Sequence, residues 1–460
     1  MFAPKGLGEH WALLIGGDIL CIAVGMIAAV SAGTAPNTLG VALDDRGIAI
    51  ASVGLAHVIA LYFQDLYTID RPRTDAWVIV STIAASSKLA VLFLILRILY
   101  PSLAPGHVIF LIYLPLSTLC LLVWRFTANS LFFARFNLGV MALGFVESLP
   151  LIIEEIQKHN HLGYRFQGVA TFSAGPAAQL RDKQGLVIQL GSSLAEMVRR
   201  HSVAILVVLD PAVQASLTRE LVQCRVQGVE VFDLESFYER ISGKLPLPYL
   251  RESWLTFAPG FGGTRWRLRV KRVLDVVLAL AMGILFLPLA VITALCIKLD
   301  SKGPILYSQR RVGLGGTTFS LYKFRSMDAD AEKSTGAVWA SRKDPRITRV
   351  GRIIRRMRVD EIPQIINVLR GEMSFVGPRP ERPEMVANLA VDIPLYEYRH
   401  FVRPGLTGWA QVCYPYGASV DDAREKLCYD LYYIKNWSLS FDLQIMLQTT
   451  KVVIFGRGGR

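Results

Sequence analysis

Four near-continuous apolar runs, roughly Trp11–Ala32, Ile48–Leu66, Ala76–Tyr100 and Val108–Phe126, fill the first 130 residues of the chain. Each approaches the ~20 residues a helix needs to cross a bilayer, so residues 1–130 are predicted to form four transmembrane helices. The first run is long, lacks a clear cleavage site and is followed by three others, which excludes a cleaved signal peptide. Short apolar runs then alternate with helical patterns. Gly139–Phe145, Phe166–Phe172, Leu186–Leu190, Val203–Leu209 and Val229–Phe232 read as strands, and Leu149–His159, Leu194–Arg200 and Pro211–Cys224 as helices. Residues 241–266 gather Pro246, Pro248, Pro259, Gly260, Gly262 and Gly263 and read as a linker. A fifth apolar run, Val273–Leu299, opens the remainder, 267–460, whose patterns are mainly helical.

The alternation over 138–240 implies a parallel, Rossmann-like sheet. Its first turn should then carry G-x-G-x-x-G, but the chain has Gly144-Phe145-Val146-Glu147-Ser148. Bulky side chains and an acid there oppose a dinucleotide phosphate, so a structural or regulatory role is expected. The expected fold is therefore a membrane protein with three parts: a four-helix transmembrane bundle, an α/β Rossmann-like middle domain and a mainly α C-terminal domain.

Charge sets the topology. The loop after the first run carries Asp44, Asp45 and one arginine, the loop after the second Arg71 and Arg73, the third loop no Lys or Arg, and the exit from the fourth Arg125 and Arg135. The positive-inside rule then places the N-terminus and everything after residue 130 in the cytoplasm. Within the runs, Asp18 and Lys88 lie at comparable depth and are expected to pair, the alternative being that Lys88 snorkels. The fifth run has basic residues at both ends (Arg269, Lys271, Arg272; Lys298, Lys302) and Pro288 near its middle. A proline removes a helical hydrogen bond, so the run is expected to be a re-entrant helix-break-helix at about 273–299, entering and leaving on one face.

The formal net charge of +13 is concentrated: residues 1–140 are nearly balanced, whereas 301–380 hold 16 Lys+Arg against 7 Asp+Glu. Such a block suits an anionic membrane surface or a phosphorylated substrate. It is broken by carboxylates and follows a membrane segment, which disfavours nucleic acid. The six scattered cysteines show no metal or disulfide spacing.

Within the block lies Arg355-Arg356-Met357-Arg358-Val359-Asp360-Glu361-Ile362-Pro363-Gln364. It is preceded by Lys323-Phe324-Arg325-Ser326-Met327 and followed by Gly377-Pro378-Arg379-Pro380 and Arg403-Pro404-Gly405-Leu406-Thr407-Gly408-Trp409. Arginines lower a neighbouring carboxylate's pKa and bind phosphate bidentately, so an acid pair among them points to phosphoryl chemistry. Val350, Ile353, Ile354 and Met357 form an apolar stripe on Arg349–Arg358, whose arginines 349, 352 and 358 are expected to face membrane or water. Asp430 and Asp442 could cap surface helices or belong to the site, and Arg403-Pro404-Gly405 could be only a turn.

These strings resemble the bacterial polyprenyl-phosphate hexose-1-phosphate transferases, the monotopic phosphoglycosyl transferases, over residues 267–460. The membrane runs and Rossmann-like middle resemble the long exopolysaccharide-type members. The resemblance implies a transferase of the bacterial inner membrane, multi-pass, with its catalytic domain on the cytoplasmic face. It would pass a sugar-1-phosphate from a UDP-sugar to undecaprenyl phosphate and release UMP, the first membrane step of exopolysaccharide biosynthesis. It further implies Mg²⁺ held at Asp360, a phosphosugar-aspartate intermediate on Asp360 assisted by Glu361, and phosphate binding by Arg355 and Arg379. Lys323 and Arg325 are candidate partners of the diphosphate, and Pro288 the lipid-facing break. Arg358 stands where other members often have serine. The bundle and middle domain are candidate surfaces for a homodimer. Deletion of residues 1–260 is expected to leave some activity. Two rival readings are a glycosyltransferase that releases UDP and a non-catalytic membrane sensor of nucleotide-sugars.

Overall fold

The computed structural model describes residues 7–33, 39–67, 75–99, 107–128, 138–144, 148–158, 163–171, 187–189, 193–250, 252–258, 260–261, 265–328, 346–414, 417 and 419–454. The loop charges Arg71, Arg73 and Arg135, and Phe145–Glu147 of the expected phosphate turn, lie outside these residues. The chain divides into two units, Phe2–Ile241 and Ser242–Arg460.

The first unit begins with helices α1 (Leu7–Gly33), α2 (Leu39–Phe63), α3 (Asp75–Leu99) and α4 (His107–Ala128). Apolar side chains such as Leu20, Ile27, Val80, Leu94, Leu111 and Val123 point outward, as a lipid solvent requires. α1, α3 and α4 contain stretches long and apolar enough to cross a membrane, and the described apolar part of α2, Ala51–Phe63, is shorter. α2 starts earlier than the apolar run and takes in Asp44 and Asp45.

The expected Asp18–Lys88 pair does not form. Asp18 is fully buried against Arg125 of α4, whose guanidinium also donates to Leu66 O (3.2 Å) and lies over the Tyr67 ring (5.3 Å). The reason is packing: α1 lies along α4, whereas Lys88 sits on an exposed face of α3. A second polar node joins three helices, with His57 of α2 hydrogen-bonding Tyr113 (2.8 Å) of α4 and Ser86 (3.2 Å) of α3.

The Rossmann-like expectation matches a five-stranded parallel sheet in the order β3-β2-β1-β4-β5. Its strands are β1 (Leu138–Leu143), β2 (Tyr164–Thr171), β3 (Val187–Gln189), β4 (Val203–Val208) and β5 (Glu230–Asp233). Alternate residues feed opposite faces: Val140, Ala142, Ile205 and Val207 join one core, and Met141, Leu143, Leu206 and Val208 the other. Two covered faces explain why these strands read as unbroken apolar runs.

The second unit corrects the linker. The linker's described residues between 242 and 261 pack into the unit, and 251, 259 and 262–264 lie outside the described residues. Leu245 is 0 % exposed, Leu247 is buried, and both belong to the main core with Leu427, Cys428 and Leu431. Leu245 N donates to Cys428 O (3.1 Å), Trp409 Nε1 donates to Gly243 O (2.8 Å), and Lys435 lies 4.2 Å from the centroid of the Trp254 ring. Gly260 (φ +117°) passes so close that a Cβ would lie 2.4 Å from Lys435 O. Pro246 and Pro248 therefore shape a strap instead of a spacer.

A 36-residue helix, Arg265–Asp300, follows. The expected break at Pro288 is absent, because the helix continues through it. Proline deletes one donor, and the surrounding bonds carry the helix on. One side lies against the unit along its length, through Asp275, Ala279, Gly283 (beside Ile365), Leu289, Ala294 and Ile297. The other side exposes Leu274, Leu280, Ile284, Leu287, Val291, Leu295 and Leu299. Both ends are tied down. Arg272 donates to Val368 O and Leu369 O (2.5 and 2.8 Å), and Asp300 accepts from Val350 N (3.0 Å).

An antiparallel hairpin of β6 (Leu306–Val312) and β7 (Thr318–Phe324) then leads to a short basic helix, Arg349–Arg356. Thr348 caps it, accepting from Gly351 N (2.9 Å). Its apolar stripe is split: Ile354 is buried with Phe324 and Val359, whereas Ile353 and Met357 are exposed. Two short parallel strands, β8 (Ser374–Val376) and β9 (Gly405–Thr407), and two longer helices, Val420–Asn436 and Leu439–Ile454, complete the unit.

Candidate active site

The basic helix ends at Arg356, and two residues on Arg358 adopts a left-handed conformation (φ +60°) that costs a non-glycine residue of order 1 kcal/mol. That reversal starts a 3₁₀ turn, Val359–Gln364, packed against β7, and the turn presents Asp360 and Glu361. Strain two residues before the acid pair marks a fixed geometry.

The two acids have different surroundings. Glu361 Oε1 receives Arg379 Nη2 at 2.7 Å, Lys323 Nζ at 3.2 Å and Arg358 Nη1 at 3.6 Å. Burial works against its charge, but Arg379, Lys323 and Arg358 outweigh it and hold the carboxyl well below the usual range. Asp360 is 7 % exposed, and its Oδ1 has no hydrogen-bond partner. Burial, and then the charge of Glu361, push the Asp360 carboxyl up, while Lys323, Arg355 and Arg358 oppose. Burial lowers the Lys323 ammonium, with Glu361 offsetting part of that. The pair thus contains one neutralised carboxylate and one carboxylate with an open oxygen, inside a cluster of four cations.

Lys323, Arg355 and Arg379 are therefore brought to the acid pair as the sequence suggested, Arg355 acting on Asp360 through its charge. Arg325 is not. Its guanidinium donates to Lys302 O (2.7 Å), Ser301 O (2.8 Å) and Ser301 Oγ (2.9 Å), capping the end of the long helix. β7 ends at Phe324, so Arg325 leaves the strand and does not share the face of Lys323. Pro288 lies on the exposed side of the long helix. Arg358, assigned to membrane or water, instead joins the cluster at Glu361.

The segment bearing Arg379 is held by its carbonyls. Val376 O accepts from Lys271 (3.2 Å) and Tyr433 (3.0 Å), and Pro378 O from Gly405 N (2.9 Å). Arg379 O accepts from Arg399 (3.0 Å), Pro380 O from Arg311 (3.0 Å) and Glu381 O from Val312 N (2.9 Å). Arg403-Pro404-Gly405 is thus more than a turn, because β9 backs this segment. The approach is so close that a Cβ on Gly405 would lie 2.1 Å from Gly377 N.

Neither late aspartate is a surface cap. Asp442 accepts from Lys271 (2.5 Å), Tyr433 (2.8 Å) and Trp437 (3.1 Å), and Asp430 pairs with Arg399 (2.9 Å), which also donates to Tyr396. Burial lifts the Asp430 carboxyl to about 6, against the pull of Arg399. Asp430→Asn would leave Arg399 buried without its counter-charge, and loss of one partner of a buried pair costs about 3–5 kcal/mol. A drop in thermal midpoint at pH 7.5 for the solubilised protein is the expected result.

Sequence reasoning missed Arg311 and Arg399. Both were ordinary cations far from the acid pair in sequence, and only the tertiary fold brings them to the Arg379 segment.

A buried acid pair in a cationic cluster, on a unit built around a long apolar helix, has the charge pattern that suits phosphate chemistry beside a membrane. Residues 266–456 match the family model described as bacterial sugar transferase. A UDP-N-acetylgalactosamine-undecaprenyl-phosphate N-acetylgalactosaminephosphotransferase of Aeromonas hydrophila is 40 % identical over 262 residues, 57 % of this chain and 61 % of that protein. A UDP-glucose:undecaprenyl-phosphate glucose-1-phosphate transferase of Caulobacter vibrioides is 46 % identical over 200 residues, 42 % of this chain and 74 % of that protein. A protein of the same name from Klebsiella pneumoniae is 30 % identical over 329 residues, 69 % of each chain. The chain thus spans less than two thirds of the Aeromonas protein and somewhat more of the other two. It belongs to the bacterial sugar transferase family, with the polyprenyl-phosphate hexose-1-phosphate transferases.

Proposed function

We propose that this protein transfers a sugar-1-phosphate from a UDP-sugar to undecaprenyl phosphate at the cytoplasmic face of the bacterial inner membrane. The observation that carries the reading is the division of the acid pair: Glu361 is neutralised by Arg379, Lys323 and Arg358, while Asp360 keeps a buried oxygen without a partner. The relatives' names supply the acceptor and the type of donor.

In the first half-reaction an Asp360 oxygen attacks the phosphorus that bears the sugar. The bond from that phosphorus to the bridging oxygen breaks, and UMP leaves with the oxygen and its electron pair. In the second, an oxygen of undecaprenyl phosphate attacks the same phosphorus and returns Asp360 to a carboxylate. Splitting the transfer makes two easier steps of one hard one. Arg379, Lys323 and Arg355 would meet the charge gathered on the phosphate oxygens, and Glu361 keeps Arg379 and Lys323 in place.

The residues also fit Mg²⁺. This ion is commonly held by one or two carboxylates together with substrate phosphates. Among the described residues no three acidic, His or Cys side chains form a cage, and Asp360 Oδ1 is the unpartnered buried carboxylate oxygen of this unit. Asp360 would hold the ion, which supplies charge neutralisation to the diphosphate.

The contacts of the long helix, which runs unbroken through Pro288, oppose a simple crossing. A simple crossing would leave its middle and far end in lipid and beyond, whereas both ends and one whole side are bound to a single folded unit. Its exposed apolar side then offers a path for the polyprenyl tail. The full chain with a panel of UDP-sugars and undecaprenyl phosphate is expected to release UMP. Release of UDP would favour sugar transfer without phosphate, and binding without turnover would favour a sensor.

A further inference from the structure

Among the described residues of the catalytic unit, five buried side-chain atoms lack a hydrogen-bond partner: Arg311 Nε, Arg325 Nε, Asp360 Oδ1, Gln364 Nε2 and Gln411 Oε1. Both arginines bond through their other nitrogens, and Gln411 donates to Leu406 O through its own amide nitrogen (3.4 Å). Asp360 and Gln364 remain, and they lie in the same six-residue 3₁₀ turn. One is an open acceptor and the other an open donor.

Gln364 is 3 % exposed, so its amide nitrogen is withdrawn from water without a partner. An unmade bond to a buried donor is destabilising, and such a group in a folded protein calls for an explanation. The turn supplies one. Side chains at i and i+3 of a 3₁₀ helix eclipse, so Gln364 stacks on the Glu361 side, where Lys323, Arg358 and Arg379 converge. With Arg355, four cations there face two carboxylates, an excess that suits an anion. An amide N–H in that setting matches a phosphate oxygen.

We propose that Gln364 is a substrate-contacting residue whose amide donates to the phosphate that Asp360 attacks, the one carrying the sugar. The inference rests on the transfer reading given above for the identity of that phosphate. In UDP the corresponding group is the terminal phosphate, and UMP lacks it.

Gln364→Met keeps the length of the side chain and removes the donor. Calorimetric titration of the full-length protein with UDP and with UMP, each with magnesium chloride, separates the possibilities. The variant is expected to lose about tenfold or more in affinity for UDP, the cost of one hydrogen bond to a charged group, and less than twofold for UMP. Its thermal midpoint is expected to stay level or rise, because a buried orphan has been removed. Unchanged UDP affinity, or equal losses for UDP and UMP, would overturn the assignment. If the Met variant does not fold, Gln364→Glu, which exchanges the donor for an acceptor, is expected to lose more affinity for UDP than for UMP. Wild-type failure to release UMP from any UDP-sugar would overturn the transfer reading instead, and leave the binding comparison readable.

Discussion

Asp360→Asn is expected to abolish release of UMP from the UDP-sugar, by at least ~10³-fold, about 4 kcal/mol of barrier. The amide matches the carboxylate in shape and can occupy the same space beside Glu361, so folding should be preserved and donor binding largely retained. What it lacks is the oxygen that attacks phosphorus. Glu361→Gln is a different lesion. It frees Arg379 and Lys323 from their shared anchor (2.7 and 3.2 Å) and should weaken donor binding as well as turnover. A steady-state comparison of the two, with UMP as the measured product, separates attack from positioning. Near-normal turnover by Asp360→Asn would rule out the nucleophile.

The second large effect concerns where the catalytic unit begins. A chain starting at Ser242 is expected to fold and retain transfer, because Ser242–Arg460 has its own core. Deleting residues 1–260 instead removes Leu245, Leu247, Trp254 and Leu255. Leu245 and Leu247 alone stand for about 3–6 kcal/mol of burial, a large share of a domain's stability. That truncation is expected to aggregate or lose its cooperative thermal transition, which reverses the expectation from sequence that it would keep some activity. Equal thermal midpoints for the two truncations would show the strap to be dispensable.

The error about the strap has a physical source. Pro246 and Pro248 are punctuation in most chains, and the leucines between and beside them gave no periodic signal. Docking against Cys428 and Leu431 depends on residues some 180 positions away in the sequence. The long apolar runs were legible because lipid imposes length and composition on a helix locally. The sheet was legible because both its faces are covered, making each strand apolar throughout. Depth was less legible: Arg125 read as a charge at a helix exit, yet α4 runs on to Ala128 and buries it against Asp18. In the site, Asp360, Glu361 and Arg379 could be picked from adjacency and motif. Lys323 and Arg325 looked equivalent until the strand ended between them. The layer of Arg311, Arg399, Asp430 and Tyr396 that fixes the Arg379 segment is tertiary and left no local trace.

In the proposed reaction Asp360 carries the phosphosugar between two half-reactions. The direct measurement is donor turnover without acceptor. Purified full-length protein, given a UDP-sugar labelled in the sugar-bearing phosphate, should release close to one UMP per site and retain the label on the peptide containing Asp360, with Asp360→Asn retaining none. No UMP and no bound label until undecaprenyl phosphate is added, followed by full turnover, would contradict the account and indicate direct transfer.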